Sequence, residues 1–586
     1  MAITVEIVSH NLKVKAASGS LLSDVLAEAG VPLSLYCRGR GLCGRCFVEV
    51  LTEPRPPLKD GEGSLLLLRG LSADHRLACL YALDRSIRIS IPAVSLIEKM
   101  PVLDWGVATS VDLDPAVRKY ALDFPRADVA HPEPSWERLA QALKIAPLAA
   151  GLDVIRSLPF LIDRPGARLT AVLYRDREVL ALEPGDTMGR TLGLAVDLGT
   201  TTLVMELVDL DTGRVLGAET ALNGQMAFGG DVVSRISRVF AEPEEAERLQ
   251  RTVVKDLDRM AGSLLARTGL ERASVYEAVI AGNTAMNHLL ARVPVSSLAL
   301  APFNPVFASL PPLPARDIGL DIHPEARLYL APNIQSFVGG DISAGLLASG
   351  FLERTGNWLY LDLGTNGEIA LKTGRDVVVT STAAGPAFEG MNISHGMLAV
   401  PGAIARAENE GGLRVFTIGD RPAKGICGTG LIDIVAVGRE LGLVTAQGAI
   451  AGPEKRLPVA PGIVLESRDV RELQLAAGAI KTGVKMMLAG AGLRAADLDG
   501  LMIAGAFGNT LNIGRAMAIG LLPSMDPARI VFLGNASLAG ARALLVSQAS
   551  RSRLEGSLGA IRHLSLASES SFQDHFLASL EFVPWS

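Results

Sequence analysis

The fold of this chain is decided by Leu192-Gly-Leu-Ala-Val-Asp-Leu-Gly-Thr-Thr-Thr-Leu-Val-Met-Glu-Leu207, which recurs in pattern as Asn357-Trp-Leu-Tyr-Leu-Asp-Leu-Gly-Thr-Asn-Gly-Glu-Ile-Ala-Leu371. Each copy runs from an apolar strand through Asp-Leu-Gly-Thr into a second strand, and then into a charged turn that contains Gly-Arg. Each copy also leads into alternating strands and helices. The repeat therefore predicts two similar α/β lobes that face a cleft.

The Asp-Leu-Gly-Thr segments are candidate phosphate loops. A strand that ends in Asp and turns through Gly-Thr presents backbone N–H groups and hydroxyls to an anion, while the Asp can hold Mg²⁺ or its water. One copy is weak support, because such turns occur in many hairpins, but two opposed copies can clamp a nucleotide from both sides. We predict that Asp197 and Asp362 are catalytic residues that support Mg²⁺. The predicted phosphate-binding residues are Gly199, Thr200, Thr201, Thr202, Gly364, Thr365 and Asn366.

Several other polar or glycine-rich segments allow two interpretations. The turn from Gly425 to Gly430, with Gly428 at its centre, either approaches the nucleotide or only initiates a helix. Asp231 and Asp341 each follow a Gly-Gly pair before a helix, and we interpret both as N-caps in preference to Mg²⁺-related groups. Glu389, flanked by glycines, is either a polar group in the cleft or part of a solvated turn. His288 and His395 are interpreted as hydrogen-bonded structural residues.

The cysteines indicate a metal centre near the N-terminus. Four of the five lie within the first 79 residues, at Cys37, Cys43, Cys46 and Cys79. Three thiolates on one tight loop and a distant fourth fit a [2Fe–2S] cluster, whose irons take four cysteines in total. Gly39, Gly41 and Gly44 let loop N–H groups turn toward the sulfides, and Arg38, Arg40 and Arg45 place positive charge beside an anionic cluster. The alternative is a zinc site, although zinc usually takes two Cys-x2-Cys pairs.

Composition limits the possible partners and location of the chain. The 586 residues are 49% hydrophobic, and 56 basic against 62 acidic residues give a net charge of −6. No long basic run is present, which argues against a nucleic-acid partner. No window approaches the ~20 apolar residues that span a bilayer, and the N-terminus lacks the features of a secretion signal. We therefore expect a soluble, cytoplasmic protein without a membrane partner.

The pattern along the chain predicts a multidomain protein of α+β and α/β units. Residues 1–95 read as a small sheet-and-helix unit, with strands at Val5–Ser9 and Leu12–Ala16 and a helix from Ser20 to Gly30. Residues 96–190, richer in Pro and charge, form a linker and a small mixed middle domain with an amphipathic stretch near Ser135–Lys144. Residues 191–586 hold the two lobes.

Two domain resemblances follow from these motifs. Residues 1–95 resemble a β-grasp ferredoxin with the five-residue first gap of the adrenodoxin-like branch, which implies one-electron transfer. The paired loops resemble those of the superfamily of acetate and sugar kinases, heat-shock chaperone ATPases and actin, which implies a two-lobed ATPase domain. In that superfamily an apolar strand followed by glycines lies near the adenosine, and Met502-Ile-Ala-Gly-Ala-Phe-Gly508 matches it, with Gly505 as the contact and Ala506 in place of a glycine.

Taken end to end, the chain resembles the reductive activators of corrinoid enzymes. Gly282-Asn-Thr-Ala-Met286, Gly385-Pro-Ala-Phe-Glu-Gly390 and Gly505-Ala-Phe-Gly508 resemble blocks of that family. The resemblance implies that the chain uses ATP to return the Co(II) of a methyltransferase-associated corrinoid protein to Co(I), with an electron from the [2Fe–2S] cluster. It also implies an upstream low-potential electron donor and a homodimer formed through the ATPase domain.

The sequence leaves two other functions open. The first is an activator of another low-potential enzyme, such as a dehydratase; those activators as a family place a [4Fe–4S] cluster between subunits and lack a ferredoxin domain. The second is a small-molecule kinase with a fused ferredoxin domain, which requires an acceptor pocket and a catalytic base that the sequence does not reveal.

Overall fold

The structure is a computed structural model that describes residues 2–31, 33, 41, 44, 46–68, 71–92, 95, 111–124, 133–145, 148–162, 168–505, 510–566 and 569–586. Its described residues form an N-terminal sheet unit, a second small sheet unit and two large lobes. None of the helices within those ranges combines the length and the apolar character needed to cross a membrane.

The N-terminal unit is a mixed sheet with the strand order β2-β1-β5-β3-β4. Ile3, Val5 and Ile7 alternate with polar residues and are buried, as the period of two requires. The strand pairing is antiparallel between β1 and β2 and parallel between β1 and β5, so the chain crosses the sheet through a helix. This arrangement confirms the predicted ferredoxin-like fold class. The elements are β1 (Ala2–Ile7), β2 (Leu12–Ala17), α1 (Leu22–Glu28), β3 (Phe47–Val50), α2 (Glu62–Leu68), β4 (His75–Leu77) and β5 (Ile87–Ser90).

The second unit is a sheet with the strand order β6-β8-β9-β7. One face packs on two helices, and the first of these covers the amphipathic stretch noted in the sequence. The other face, through residues such as Val172 and Leu180, packs on the first lobe. The elements are β6 (Val117–Asp123), α3 (Ser135–Leu143), β7 (Ala149–Ala150), α4 (Leu152–Ile162), β8 (Arg168–Tyr174) and β9 (Glu178–Pro184).

The first lobe is built around the first copy of the repeat. Its sheet has the order β12-β11-β10-β13-β15-β14, with an antiparallel meander on one side of β10 and parallel strands on the other. The elements are β10 (Leu192–Leu198), β11 (Thr202–Asp209), β12 (Val215–Leu222), α5 (Val232–Ala241), α6 (Glu245–Thr268), β13 (Val275–Gly282), α7 (Thr284–Leu290), α8 (Ser296–Ala299), β14 (Leu313–Pro314), β15 (Arg327–Leu330) and α9 (Gly340–Ala348).

The second lobe repeats this topology around the second copy, with the order β25-β24-β16-β17-β18-β26 in its large sheet. Again an antiparallel meander lies on one side of the repeat strand and parallel strands on the other. The elements are β16 (Asn357–Leu363), β17 (Gly367–Thr373), β18 (Asp376–Thr382), β19 (Ala403–Asn409), β20 (Leu413–Thr417), β21 (Gly425–Ile426), α10 (Gly428–Glu440), β22 (Arg456–Ala460), β23 (Ile463–Glu466), α11 (Ser467–Gly490), β24 (Gly500–Ala504), α12 (Ile513–Ala518), β25 (Ile530–Gly534), α13 (Ala536–Val546), α14 (Gln548–Ser557), β26 (Ile561–His563) and α15 (Phe572–Ala578).

The shared topology confirms the prediction of two similar lobes. Asp197 lies opposite Ala281 on the adjacent parallel strand, and Asp362 lies opposite Ala504 in the same way. Both aspartates thus stand near the carboxyl ends of parallel strands, where α/β sheets bind their ligands.

Helices α9 and α13 cross at small residues between the lobes. A Cβ placed on Gly540 would lie 2.1 Å from the Ala344 carbonyl oxygen, and one on Gly345 would lie 2.4 Å from the Tyr360 hydroxyl. Gly540 thus lets the backbones of α9 and α13 approach closely, and Gly345 makes room for Tyr360 of β16 beside that crossing.

A buried ion pair joins the second sheet unit to the lobes. Arg551 on α14 donates from both terminal nitrogens to the two oxygens of Glu277 on β13, each at 2.9 Å. One of these nitrogens also donates to the Tyr174 hydroxyl on β8 at 3.2 Å. Three separate stretches of chain therefore meet at one guanidinium group.

Candidate functional site

The first phosphate loop, residues 199–201, is held through its carbonyl groups. The Asn223 side chain donates to the Gly199 carbonyl at 2.9 Å, and its backbone N–H donates to the Thr201 carbonyl at the same distance. The fully buried Arg235 donates to the Thr200 carbonyl at 2.5 Å. Each loop carbonyl is thus fixed by a donor from outside the loop.

The turn from this loop into β11 is too tight for a side chain at Gly199. A Cβ on Gly199 would lie 2.3 Å from the carbonyl oxygen of Thr202, the first residue of that strand. Only glycine fits this turn, so the sequence requirement for Gly199 is explained by the turn itself.

The second loop, residues 364–366, lies beside Glu389. The Gly364 N–H donates to the Asn366 carbonyl at 3.1 Å, which closes the turn. The Thr365 hydroxyl donates to Glu389 Oε1 at 2.6 Å. The Asn366 side chain hydrogen-bonds to Glu368, which begins the next strand with Gly367. Glu389 is therefore a polar group of the cleft and not part of a solvated turn.

The two loops touch each other. The hydroxyl oxygens of Thr201 and Thr365 lie 3.1 Å apart, although 164 positions separate them in the chain. Both threonines are buried. The fold thus brings together residues that we predicted to grip phosphate from opposite sides.

Asp197 is held by the start of α13. Asn535 Nδ2 and Ser537 Oγ each donate to one of its carboxylate oxygens at 2.8 Å. Burial raises the pKa of Asp197, and these two hydrogen bonds counter part of that rise. The carboxylate is therefore oriented by α13 rather than by its own loop.

Asp362 belongs to a group of four acidic residues that we call the acidic cluster: Asp197, Asp341, Asp362 and Glu368. Burial, and then the charge of Asp197, raises the pKa of Asp362 to about 7. Burial, and then the neighbouring carboxylates, raises the pKa of Asp341 to about 7 and that of Glu368 well above its usual range. Like charges held this close require a cation to be stable in ionised form.

The acidic cluster suits Mg²⁺ bound together with phosphates. Mg²⁺ usually takes one or two carboxylates and completes its shell with water and substrate phosphates, rather than using an all-protein cage. Within the described ranges, no three His, Cys, Asp or Glu side chains stand close enough to enclose an ion. An open arrangement of acidic groups beside two phosphate loops therefore fits the ion that the sequence predicts.

The structure separates the two predicted caps. Asp231 accepts from the Ser234 N–H at 2.7 Å in a capping box at the start of α5, so its interpretation as an N-cap is confirmed. For Asp341 that interpretation is wrong, because Gly339 occupies the N-cap position of α9 and Asp341 lies within the first turn, in the acidic cluster.

Gly505 lies at the second loop. It has a φ of +102°, and a Cβ there would lie 2.7 Å from the Leu363 carbonyl oxygen and 2.9 Å from Asp362 Oδ1. A side chain at Gly505 would therefore displace the Asp362 carboxylate. The following residues, 506–509, lie outside the described residues, and the contact of Gly505 with adenosine stays a prediction.

Gly428 begins helix α10, as the helix-initiating interpretation requires. A Cβ there would lie 1.8 Å from the Phe388 carbonyl oxygen, so the helix start packs directly on the 3₁₀ turn Pro386–Glu389. Gly428 thus supports the segment that carries Glu389, and its own contact with a nucleotide stays a prediction.

His288 is structural, as expected. Its Nε2 accepts the Val306 N–H at 3.0 Å, its Nδ1 lies 2.7 Å from the Thr284 carbonyl, and its ring stacks on Phe307. Burial lowers the pKa of His288, which keeps it neutral.

Two of the four predicted cluster ligands can be placed. Cys46 and Cys79 are buried, and their sulfur atoms lie 3.2 Å apart. With metal–sulfur bonds of about 2.3 Å, two thiolates on one tetrahedral ion lie about 3.8 Å apart, so this pair is close to the spacing of two ligands on one iron. Cys37, Cys43, Gly39, Arg38, Arg40 and Arg45 lie outside the described residues.

Two glycines of the cysteine loop adopt the conformation that the prediction requires. Gly41 and Gly44 have φ values of +67° and +61°. A Cβ on Gly41 would lie 2.8 Å from the side chain of Leu80, next to Cys79. A side chain at Gly41 would therefore collide with Leu80, the residue that follows the fourth cysteine.

Comparison with known proteins covers nearly the whole chain. Models of a 2Fe-2S iron-sulfur cluster binding domain, the RACo linker region, the RACo middle region and the C-terminal ASKHA domain of RACo match residues 5–83, 106–189, 192–354 and 356–585, respectively. A solved structure described as a reductive activator for corrinoid, iron-sulfur protein is 31% identical and covers 100% of this chain and 98% of its own, with a TM-score of 0.76. The chain belongs to this family of reductive activators.

Curated relatives agree with this assignment to the reductive activator family. The chain is 28% identical to the corrinoid activation enzyme RamQ of Eubacterium limosum over 97% of both proteins. It is 29% identical to the [Co(II) methylated amine-specific corrinoid protein] reductase of Methanosarcina barkeri, over 67% of this chain and 77% of that protein. These findings favour a corrinoid activator over the dehydratase activator and the kinase.

Sequence reasoning missed several residues that build the site of this activator. Asn223, Arg235, Asn535 and Ser537 hold the loops or Asp197, and they act from three places: the end of β12, helix α5 and the start of α13. Asn223 follows β12, the strand paired with the one after the loop, and that adjacency was the one signal available. Asn535 stands 338 residues from its partner Asp197, so no local pattern marks it.

Proposed function

We propose that this chain is an ATP-dependent reductive activator that reduces the Co(II) corrinoid of a methyltransferase-associated corrinoid protein to Co(I). The observation that carries the proposal is the similarity along the whole chain to a reductive activator, with an iron–sulfur domain at one end and an ATPase-like domain at the other. The direct contact of the two phosphate loops supports the use of ATP by this chain.

The electron carrier is a [2Fe–2S] cluster held by Cys37, Cys43, Cys46 and Cys79. When bound, the cluster supplies one electron at a time at a low potential. Cys46 and Cys79 lie in the apolar core of the N-terminal unit, which excludes water from that side of the site. Their burial favours a low-dielectric environment around the ligands.

The ATPase site is the space bounded by the two loops and the acidic cluster. Gly199, Thr200, Gly364 and Thr365 would bind the phosphates with N–H and hydroxyl groups. Asp197 and Asp362 would hold Mg²⁺ directly or through water. Because one loop belongs to each lobe, binding of phosphates between them stabilises the arrangement in which the lobes are in contact.

A chain of contacts leads from the first loop to the N-terminal unit. Asn223, which holds that loop, precedes the 3₁₀ turn Gly224–Ala227, and α1 packs on this turn. Arg248 on α6 donates to Glu28 Oε1 at 2.7 Å, and Lys255 donates to the Glu28 carbonyl at 2.6 Å. A change in the first loop can therefore alter the position of the domain that carries the electron.

Such a contact supplies a physical reason for coupling ATP to electron transfer. Nucleotide state can shift an unfavourable reduction only if it changes how strongly the chain binds its partner in each redox state. We propose that this partner is a corrinoid protein, that an upstream low-potential carrier donates the electron, and that the chain forms a homodimer through its ATPase domain. Nucleic acid and membranes have no part in this proposal, and the cytoplasm is the location it assumes.

The test is a spectroscopic assay of cobalt. The reduced protein is mixed with a Co(II) corrinoid protein from the same cell, and the cobalt spectrum is followed with and without Mg-ATP. We expect Co(I) to form only with Mg-ATP, and no Co(I) with any corrinoid protein of that cell would refute the proposal. Cys46→Ser should abolish reduction, whereas Cys427→Ser, a buried cysteine far from the others in sequence, should leave it unchanged.

A further inference from the structure

Glu389 is a carboxylate held rigidly at the second phosphate loop. It ends the 3₁₀ turn Pro386–Glu389, which lies between Gly385 and Gly390, both at positive φ. The three residues before it are buried, and the start of α10 packs against the Phe388 carbonyl. The backbone of Glu389 is thus fixed from both sides, and its side chain points to the loop.

The two oxygens of Glu389 differ in their surroundings. Oε1 accepts the Thr365 hydroxyl at 2.6 Å and would lie 3.8 Å from a Cβ on Gly364. Oε2 is buried, and no hydrogen-bond donor among the described residues reaches it. A buried carboxylate oxygen without a donor is unfavourable unless a bound group supplies one.

The hydroxyl hydrogen bonds run in one direction toward Glu389. Because Thr365 uses its only proton to donate to the carboxylate, the 3.1 Å contact with Thr201 must be donated by Thr201. One hydroxyl from each phosphate loop therefore takes part in a series of hydrogen bonds that ends at a single acceptor, Glu389 Oε1. Because Oε1 is fixed in this way, the position of Oε2 relative to both loops is fixed as well.

The other carboxylates of the site have different tasks. Asp197 is occupied by two donors from α13, and Asp341 and Asp362 repel each other in the acidic cluster, which calls for a cation. Glu389 lies outside that cluster, and its second oxygen is available to a substrate. A carboxylate in this position can accept a proton.

We propose that Glu389 is the general base for ATP hydrolysis, an assignment that rests on the proposed function. The water oxygen forms a bond to the γ-phosphorus while the bond from that phosphorus to the β–γ bridging oxygen breaks, and the bond electrons leave with ADP. One water proton passes to Glu389 Oε2 and then to solvent, which leaves inorganic phosphate and ADP. Because phosphoryl transfer depends mainly on positioning, the carboxylate also fixes the direction of attack.

The test separates hydrolysis from binding. Glu389→Gln keeps the shape and the acceptor for Thr365 but cannot take a proton, so we expect the turnover number for ATP to fall by about 100-fold or more. The dissociation constant for ATP should stay within about threefold of the parent value, and the cluster spectrum should not change. Glu410→Gln, an exposed carboxylate of the same lobe that pairs with Arg414, is the matched control and should hydrolyse ATP normally.

A second variant guards against misfolding. Glu389→Ala leaves room for a small carboxylate, and we expect added formate, but not chloride at the same concentration, to restore part of the hydrolysis rate. A merely structural side chain would not be replaced by formate.

The outcomes distinguish this inference from the proposed function. No ATP hydrolysis by the parent protein, with or without a corrinoid partner, would refute the proposed function itself. Hydrolysis by the parent and by Glu389→Gln at similar rates would overturn the role of Glu389 alone. Loss of ATP binding by Glu389→Gln together with hydrolysis would also overturn it, because the residue would then be a binding group.

Discussion

The two Asp-Leu-Gly-Thr loops share four residues and occupy equivalent places in their lobes, yet their aspartates have different surroundings. Asp197 receives two hydrogen bonds from α13, and its loop is fixed by Asn223 and Arg235. For Asp362, burial and then the charge of Asp197 raise the pKa to about 7. The first loop is held by hydrogen bonds from the rest of the protein, whereas the carboxylate of the second loop needs a cation to be stable in its ionised form. One motif therefore serves two electrostatic roles.

The largest expected effect is on ATP hydrolysis. Asp362→Asn removes a charge that we propose helps to hold Mg²⁺, so we expect the hydrolysis rate to fall by about 100-fold or more, measured as phosphate release. Asp197→Asn should cause a similar loss while leaving the iron–sulfur spectrum intact. A cluster lost from either variant would show that the two modules are not separate.

The effects on stability should have opposite signs. Without Mg²⁺ at pH 8, Asp362→Asn relieves repulsion and should raise the free energy of unfolding by about 1–2 kcal/mol. Asp197→Asn relieves the same repulsion but sets an amide N–H₂ against one of the two donors, Asn535 or Ser537, and the loss of that oriented acceptor should lower the free energy of unfolding by about the same amount. Denaturant unfolding of both variants measures the change in the free energy of unfolding. A change of the same sign in both variants would contradict the different electrostatic roles of the two loops.

The pH dependence sharpens the same contrast. The raised pKa values of Asp341 and Asp362, about 7 against an ordinary 3.8, mean that the folded state holds protons which the unfolded chain has lost between about pH 4 and 7. The stability contributed by these groups is therefore lost as the pH rises through that window. Melting temperature should fall from pH 5 to pH 8, and the fall should be smaller in the double variant Asp341→Asn, Asp362→Asn.

Magnesium provides the matching control for this pH dependence. The ion favours the ionised carboxylates, so added Mg²⁺ should raise the melting temperature more at pH 8 than at pH 5. An equal effect at both values would contradict the assignment of the acidic cluster.

The smallest expected effect concerns the link from the first loop to the N-terminal unit. Glu28→Lys breaks the partly exposed ion pair with Arg248, which contributes about 1 kcal/mol or less, and places a like charge beside Lys255, whose hydrogen bond goes to the Glu28 backbone carbonyl. We expect ATP-dependent reduction to slow by about twofold to fivefold at low salt, with ATP hydrolysis unchanged. Glu53→Lys, whose partner Arg55 lies in its own unit, should have no effect.

Much of this arrangement follows from the sequence because the repeat is local. Strand, turn and strand lie within sixteen residues, so both loops and the two-lobed topology could be predicted from the pattern. The opposition of the two loops was predicted from the repeat, but their direct contact through Thr201 and Thr365 was not. Domain boundaries at 95 and 190, and the ligand roles of Cys37 and Cys43, remain predictions.

What the sequence could not give depends on distant packing. Gly-Gly-Asp stands at the start of both α5 and α9, but a Cβ on Gly339 would lie 2.3 Å from the Thr284 backbone nitrogen, and relative to this motif α9 begins two residues earlier than α5 does. Asp341 is thereby turned into the cleft and Asp231 is not. Similarly, β8 is buried along nearly its whole length between helices and the first lobe, so it lacks the alternation that marks a strand.

The Arg551 guanidinium donates to Glu277 of the first lobe and to Tyr174 of the second sheet unit. It therefore sets the place on the first lobe from which the chain runs back to the iron–sulfur domain. Since the second sheet unit is fixed to the first lobe there, the chain that leads back to residue 95 starts from a point that travels with that lobe. The connection from 95 to 111 can reach at most about 55 Å when fully extended. The iron–sulfur domain therefore stays within that distance of the first lobe even when its contact through Glu28 is broken.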